Sequence, residues 1–149
     1  MTPDQIDLVQ TSFNKVAPAA DEAGMLFYRR LFEIAPDTRM LFADNIAEQG
    51  GKLMTMLKTV VDDLHQIDKV LPAAKALGKR HAGYGVKDEH YDKVGEALIW
   101  AIEQKLPGEF PAETREAWEA AYGTLADVLK EASANAEPKK KGIMARLFG

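Results

Sequence analysis

The chain has 149 residues, 46% of them apolar and 28% charged, which is the size and composition of one globular domain with its own core. It contains no cysteine, so disulfides, thiolate nucleophiles, zinc–thiolate sites and iron–sulfur clusters are excluded. Residues 139–149 carry Lys139, Lys140, Lys141 and Arg146 and no acid, so the net charge of −4 divides into a basic end and a body of 15 Lys and Arg against 23 Asp and Glu, net −8. Phosphate binding needs a basic face, so this acidic body speaks against nucleic acid as a partner. Met1-Thr2-Pro3-Asp4 shows neither a basic n-region nor an apolar h-region, and no apolar run approaches the ~20 residues that span a bilayer. The expectation is a cytoplasmic protein.

In chain order, Thr2-Pro3-Asp4-Gln5 reads as a helix start: a threonine cap, a proline in the first turn and a glutamine three residues after the cap. Ile6, Val9, Phe13 and Val16 follow at helical spacing, and Pro18 ends the run. A second helix is predicted from about Asp21, with Phe27, Leu31 and Ile34 on its apolar side. Ala35-Pro36-Asp37 interrupts it, because proline lacks the N–H a continuing helix needs. A short turn to Phe42 and an irregular Ala43-Asp44-Asn45 lead to a third helix over 46–64, striped by Leu53, Leu57, Val60, Val61 and Leu64. Pro72 opens a fourth, ending near Tyr84 and Gly85. Asp88 is the predicted cap of a fifth, running through Leu106 with Tyr91, Val94, Leu98 and Ile102 inward. After Pro107-Gly108 and Pro111, a sixth spans 112–132 and buries Trp118, Ala121, Leu125 and Val128. There is no strand pattern, internal repeat or phosphate-binding glycine loop. The fold class is all-α, and the domain is expected to span 1–132, followed by a basic C-terminal tail, 133–149.

Three histidines limit where metal chemistry could sit. His65, among Asp62, Asp63 and Gln66, and His90, in the first turn of its helix, both read as exposed. His81 shares a stripe with Ala74 and Leu77 and so faces inward near a helix end. It is either a buried histidine bonded to a backbone carbonyl or a metal ligand. Side chains alone would need two or three further donors, which the other histidines are not spaced to supply. A single histidine suffices where a macrocycle provides four nitrogens, as in haem. Gln49 falls on the inward face of the third helix, one and two turns before Leu53 and Leu57, and Tyr28 interrupts the second helix beside Phe27. Each is either a core residue with a satisfied polar tip or a solvent-facing one.

These residues, in this order, resemble the globins, and in particular bacterial single-domain haemoglobins and the globin part of flavohaemoglobins. The resemblance covers 1–132. It is carried by Leu26-Phe27-Tyr28-Arg29-Arg30-Leu31-Phe32, by Pro36 and Phe42, by Gln49-Gly50-Gly51-Lys52-Leu53, by Arg80-His81-Ala82-Gly83-Tyr84-Gly85-Val86, by His90-Tyr91-Asp92-Lys93-Val94-Gly95, and by Ala117-Trp118-Glu119-Ala120-Ala121-Tyr122-Gly123. It implies a globin fold of six to eight helices around a haem pocket. It further implies haem b (iron protoporphyrin IX), with His81 as the iron's ligand and its second N–H held by another group. Phe42, Leu53, Leu57, Leu77, Val86, Tyr91 and Val94 would form the pocket walls, and Lys52 and Arg80 would meet the propionates. Tyr28 and Gln49, beside Leu53, would form the distal site.

The implied function is high-affinity reversible O₂ binding, with CO and NO as further ligands, and no enzyme activity of the chain's own. A hydrogen bond to a partly anionic diatomic ligand contributes about 1.5–3 kcal/mol. Glutamine is a poor ligand for ferrous haem, so an open sixth site is expected. NO dioxygenation with a separate reductase is the enzymatic alternative; a gas sensor or a haemless interaction module is the third. In flavohaemoglobins a glutamate on the last helix holds the proximal histidine. Counting from Trp118, Ser133 stands in that position, while Glu131 lies about 200° away around the helix. A less imidazolate-like histidine is expected. Ile143, Met144, Leu147 and Phe148, following the three lysines, could form a basic amphipathic segment on a membrane; a disordered solubilising end is the commoner outcome of such composition.

Overall fold

A computed structural model describes residues 1–42, 45–83 and 86–134. The predicted tail from residue 135 onward, the irregular Ala43 and Asp44, and the helix end at Tyr84 and Gly85 lie outside these. Six α-helices make up the described fold: α1 (Pro3–Val16), α2 (Ala20–Ile34), α3 (Ile46–Asp62), α4 (Leu71–Gly83), α5 (Asp88–Gln104) and α6 (Ala112–Ala134). Three short 3-10 segments, Ala17–Ala19, Pro36–Leu41 and Leu64–Lys69, link the helices on either side of them. No strand occurs among the described residues.

The start of α1 follows from its sequence. Thr2 accepts the Gln5 N–H at 3.1 Å while Gln5 Oε1 accepts the Thr2 N–H at 3.0 Å, so two otherwise orphaned donors are satisfied reciprocally. Pro18 does not separate α1 from α2 by a loop; it sits in a single 3-10 turn. The third helix stops two residues short of the predicted Leu64. From there the chain tightens into a 3-10 segment kinked at Gln66 (φ −132°, ψ 57°), which takes residues 64–69 out of α-helical phase.

The helices pack in pairs: α1 against α6, α2 against α3 and α5, and α4 against α6. Phe13 of α1 packs against Trp118 of α6, in a core that also holds Val9 and Val16, and the Trp118 indole N–H donates to the buried Ser12 hydroxyl at 2.8 Å. Apolar burial of each such side chain contributes about 1.5–3 kcal/mol. A second cluster, Ala74, Leu77, Tyr91, Ala126 and Leu129, joins α4, α5 and α6. Between the two clusters lies the cavity described below.

Where α2 crosses α3 the backbones touch. A Cβ added at Gly24 would lie 3.1 Å from the Gly50 Cα and carbonyl oxygen. Both glycines are buried, so the contact has no flexible side chain to give way. Gly51, next along α3, has nothing within 4 Å of an added Cβ. Alanine at either position gains about 0.5–1 kcal/mol of helix stability, but overpacking at Gly24 costs about 1–3 kcal/mol. Gly51→Ala is therefore expected to raise the midpoint of urea unfolding and Gly24→Ala to lower it; equal shifts would mean that α2 and α3 are not in backbone contact.

Candidate functional site

The last turn of α4 brings His81 inward, 6% exposed, onto the wall of a cavity of about 330 Å³. The Val86 N–H donates to the His81 carbonyl at 3.0 Å and holds the chain just after the helix. Every wall residue expected from the sequence except Lys52 lies on this cavity: Phe42, Leu53, Leu57, Leu77, Arg80, Val86, Tyr91 and Val94. Phe27, Leu31, Val70 and Leu98 enlarge its apolar surface.

Behind His81 runs a chain of polar contacts. Its Nδ1 lies 3.1 Å from the Tyr91 hydroxyl, which lies 3.2 Å from the Ser133 hydroxyl. Ser133 in turn donates to the Gly78 carbonyl at 2.8 Å. Burial holds the Tyr91 phenol above its ordinary range, so it keeps its proton.

Tyr28 and Gln49, 1% and 2% exposed, are buried just behind the wall rather than on its surface. Tyr28 packs edge-on against Phe42 (centroids 5.0 Å, 75°) and Phe27 (4.8 Å, 67°). Gln49 precedes cavity-lining Leu53 by one turn. The Gly24–Gly50 crossing sets both in place, since Tyr28 lies one turn after Gly24 and Gln49 adjoins Gly50. The Tyr28 hydroxyl and Gln49 Oε1 have no hydrogen-bond partner among the described residues. A buried polar atom left unbonded costs about 1–3 kcal/mol, and few native proteins carry it without a reason. Burial pushes the Tyr28 phenol well above its ordinary range, so it stays a neutral O–H donor.

Two expectations are corrected here. Lys52 does not reach the cavity; it lies in an open groove between α1 and α3, 3.7 Å from Glu48 of its own helix. The second cation on the cavity wall is instead Lys69, in the 3-10 segment that follows α3, together with Arg80. His90 is not exposed but 6% accessible, and it also lines the cavity. The Lys87 N–H donates to His90 Nδ1 at 2.9 Å, so Nε2 carries the ring proton and donates to Asp37 at 3.0 Å. This places His90 as the internal cap of α5, although Asp88 was the expected cap, and ties α5 to the segment Pro36–Leu41. Only its pairing with Asp37, 53 positions away, distinguishes it from a surface histidine. His65 is exposed as expected, 3.4 Å from Asp7.

Among the described residues no three His, Cys, Asp or Glu side chains cluster to hold a metal ion. A metal at His81 would take its remaining donors from a prosthetic group. An apolar slot with one inward histidine, Arg80 and Lys69 on the wall, and the unbonded Tyr28 hydroxyl and Gln49 Oε1 behind it fits haem.

The family model described as Globin matches residues 26–129. The chain is 31% identical to the anaerobic nitrite reductase HBII of Casuarina glauca over 144 residues, covering 87% of this chain and 90% of that protein. It is 30% identical over 104 residues to the flavohemoprotein of Bacillus subtilis, covering 68% of this chain but 26% of that longer protein. Among solved structures it resembles an engineered carbene transferase from Rhodothermus marinus, named provisionally as a nitric oxide dioxygenase, with TM-score 0.81, 28% identity, and 90% and 94% of the two chains covered. A hexacoordinated haem protein from an anhydrobiotic tardigrade shares the fold at TM-score 0.82 and 16% identity, with 91% and 96% covered.

The His90–Asp37 contact predicts a pH dependence. The hydrogen bond from His90 holds the Asp37 carboxyl below its ordinary value of 3.8. A depressed carboxyl contributes stability that is present above its unfolded value and is lost as pH falls through the folded one. Asp37→Asn is therefore expected to lower stability at neutral pH, and the gap from wild type to close below about pH 4, in urea titrations across pH. A gap that persists unchanged at low pH would show that the Asp37 charge contributes nothing.

Proposed function

The chain belongs to the globin family, and from that premise we propose that it binds haem b through His81 and takes up O₂ reversibly. Haem bound here would supply a ferrous iron able to take O₂, CO or NO as a sixth ligand. The observation that carries this reading is the pair of buried groups, the Tyr28 hydroxyl and Gln49 Oε1, that lack a partner among the described residues. A protein that bound nothing at this cavity would carry their desolvation without return.

The chain's own groups then divide the work. His81 would hold the iron through Nε2, with the Tyr91 hydroxyl 3.1 Å from its Nδ1. The apolar walls exclude water and so strengthen every hydrogen bond made inside. Tyr28, kept protonated by burial, donates to a partly anionic diatomic ligand. Rotation of the Gln49 amide exchanges its oxygen for its N–H end, so it serves as second donor. Arg80 and Lys69 are the cations available to the propionates, with Lys69 in the role first expected of Lys52.

NO dioxygenation with a separate reductase is the second reading, favoured by the name of the Rhodothermus protein. The proximal contacts favour O₂ binding, because the histidine's hydrogen-bond chain ends on a backbone carbonyl and not on a carboxylate. No described helix is long and apolar enough to cross a membrane.

The test is an absorption spectrum of the protein, reduced and then exposed to O₂. A five-coordinate reduced form that converts to a stable oxy form, and is lost in His81→Ala, is expected. In stopped flow, Tyr28→Phe is expected to speed O₂ release about 10- to 100-fold, since about 1.4 kcal/mol corresponds to tenfold. An unchanged release rate would remove Tyr28 from the distal site. Sustained NO consumption with a supplied reductase, at rates far above autoxidation, would promote the enzymatic reading.

A further inference from the structure

The contacts behind His81 form a relay whose proton positions follow from its far end. The Gly78 carbonyl can only accept, so Ser133 spends its one proton there, across 2.8 Å. Ser133 then offers Tyr91 only lone pairs, so the Tyr91 hydroxyl is the donor across their 3.2 Å contact. With its proton spent, the Tyr91 oxygen accepts, and His81 Nδ1 carries the proton across 3.1 Å. A carbonyl one turn earlier on His81's own helix thus determines which ring nitrogen is protonated.

We propose that Ser133 is a positioning residue: it terminates this relay in a neutral acceptor and so holds His81 as a neutral imidazole with its lone pair on Nε2. This rests on the haem reading above. Each link donates away from the histidine, yet no link carries negative charge, so the ring gains orientation without becoming imidazolate-like. Glu131, the nearest carboxylate in the last turn of α6, is exposed. The backbone at the start of α5 is held from the other side, where the Tyr122 hydroxyl donates to the Tyr91 carbonyl at 2.6 Å.

The relay closes only because α4 and α6 approach to backbone contact. A Cβ at Gly78 would lie 2.6 Å from the Leu129 carbonyl oxygen and 2.9 Å from the Ala132 Cβ. Any larger residue at position 78 would push α6, and with it Ser133, off the carbonyl that ends the chain. Gly78 therefore acts in the relay twice, as the acceptor and as the gap that admits the donor.

The test is the iron–histidine stretching band of the reduced, ligand-free holoprotein, read by resonance Raman in wild type, Ser133→Glu, Ser133→Thr and Tyr91→Phe. Ser133→Glu, which ends the relay in a carboxylate, is expected to move the band to higher frequency and the reduction potential to a more negative value. Ser133→Thr, which keeps the hydroxyl, should leave both at wild type. Tyr91→Phe, which removes the acceptor from Nδ1, should move the band to lower frequency. A haem-loaded Ser133→Glu protein with the wild-type band and potential, or a Tyr91→Phe protein with the wild-type band, would overturn the relay and leave the haem reading standing. A wild-type protein that takes up no haem, or shows no iron–histidine band, would overturn both.

Discussion

Two backbone contacts between helices govern how polar groups reach the centre of this molecule. A helix with ordinary side chains keeps its neighbour's axis about 8–10 Å away. At Gly24–Gly50 the side-chain layer is missing and α2 lies directly on α3, which brings Tyr28 and Gln49 into one buried region. At Gly78 the same device lets α6 lie on α4, and Ser133 reaches the turn that carries His81. The cavity between these crossings is walled mainly by apolar side chains, with Lys69, Arg80 and His90 also on its wall.

The polar groups at the two crossings are treated differently. Behind His81 each hydroxyl has a partner and a direction, and two buried hydroxyls elsewhere are bonded as well: Ser12 bonds the Leu8 carbonyl and the Trp118 indole, and Thr38 bonds the Ala35 carbonyl at 2.7 Å. The Tyr28 hydroxyl and Gln49 Oε1 have no such partner among the described residues. Marginal stability makes such exceptions costly, since one or two kcal/mol is a large share of a domain's total. Stored desolvation of this kind is returned when a ligand accepts the hydrogen bonds, which is how a binding site can be tight without being charged.

Much of this was legible in the sequence, for a definite reason. Helical phase depends on nearest neighbours along the chain, so the stripes of Ile6, Val9, Phe13 and Val16, or of Tyr91, Leu98 and Ile102, locate buried faces without knowledge of the fold. His81 was found because it lies on such a stripe. What phase does not encode is which distant residue will face a given side chain. His90 occupies a position in the first turn of α5 that exposed polar residues commonly take, and its burial depends on Asp37 and the segment that carries it. Lys52 was expected at the propionates from the resemblance and from no feature of helical phase, and its ammonium lies 3.7 Å from Glu48 of its own helix. Lys69 escaped notice because residues 64–69 leave the α-helical phase at the Gln66 kink, and no period assigns a face there. The glycine crossings were the hardest to see: a missing side chain has no periodicity, and only the opposing backbone gives it meaning.

On the proposed reading the two sides of the cavity act on a bound ligand in the same direction. Tyr28 and Gln49 would hydrogen-bond a partly anionic diatomic ligand and so slow its departure. The relay through Tyr91 and Ser133 gives His81 orientation but little added electron density, so it does little to drive that charge further toward bond cleavage. Strong distal donation combined with a carboxylate-backed histidine would favour chemistry on the ligand; strong distal donation combined with a neutral histidine favours keeping it. The difference rests on a single hydroxyl at position 133, and on whether α6 can approach Gly78 closely enough for that hydroxyl to find a carbonyl.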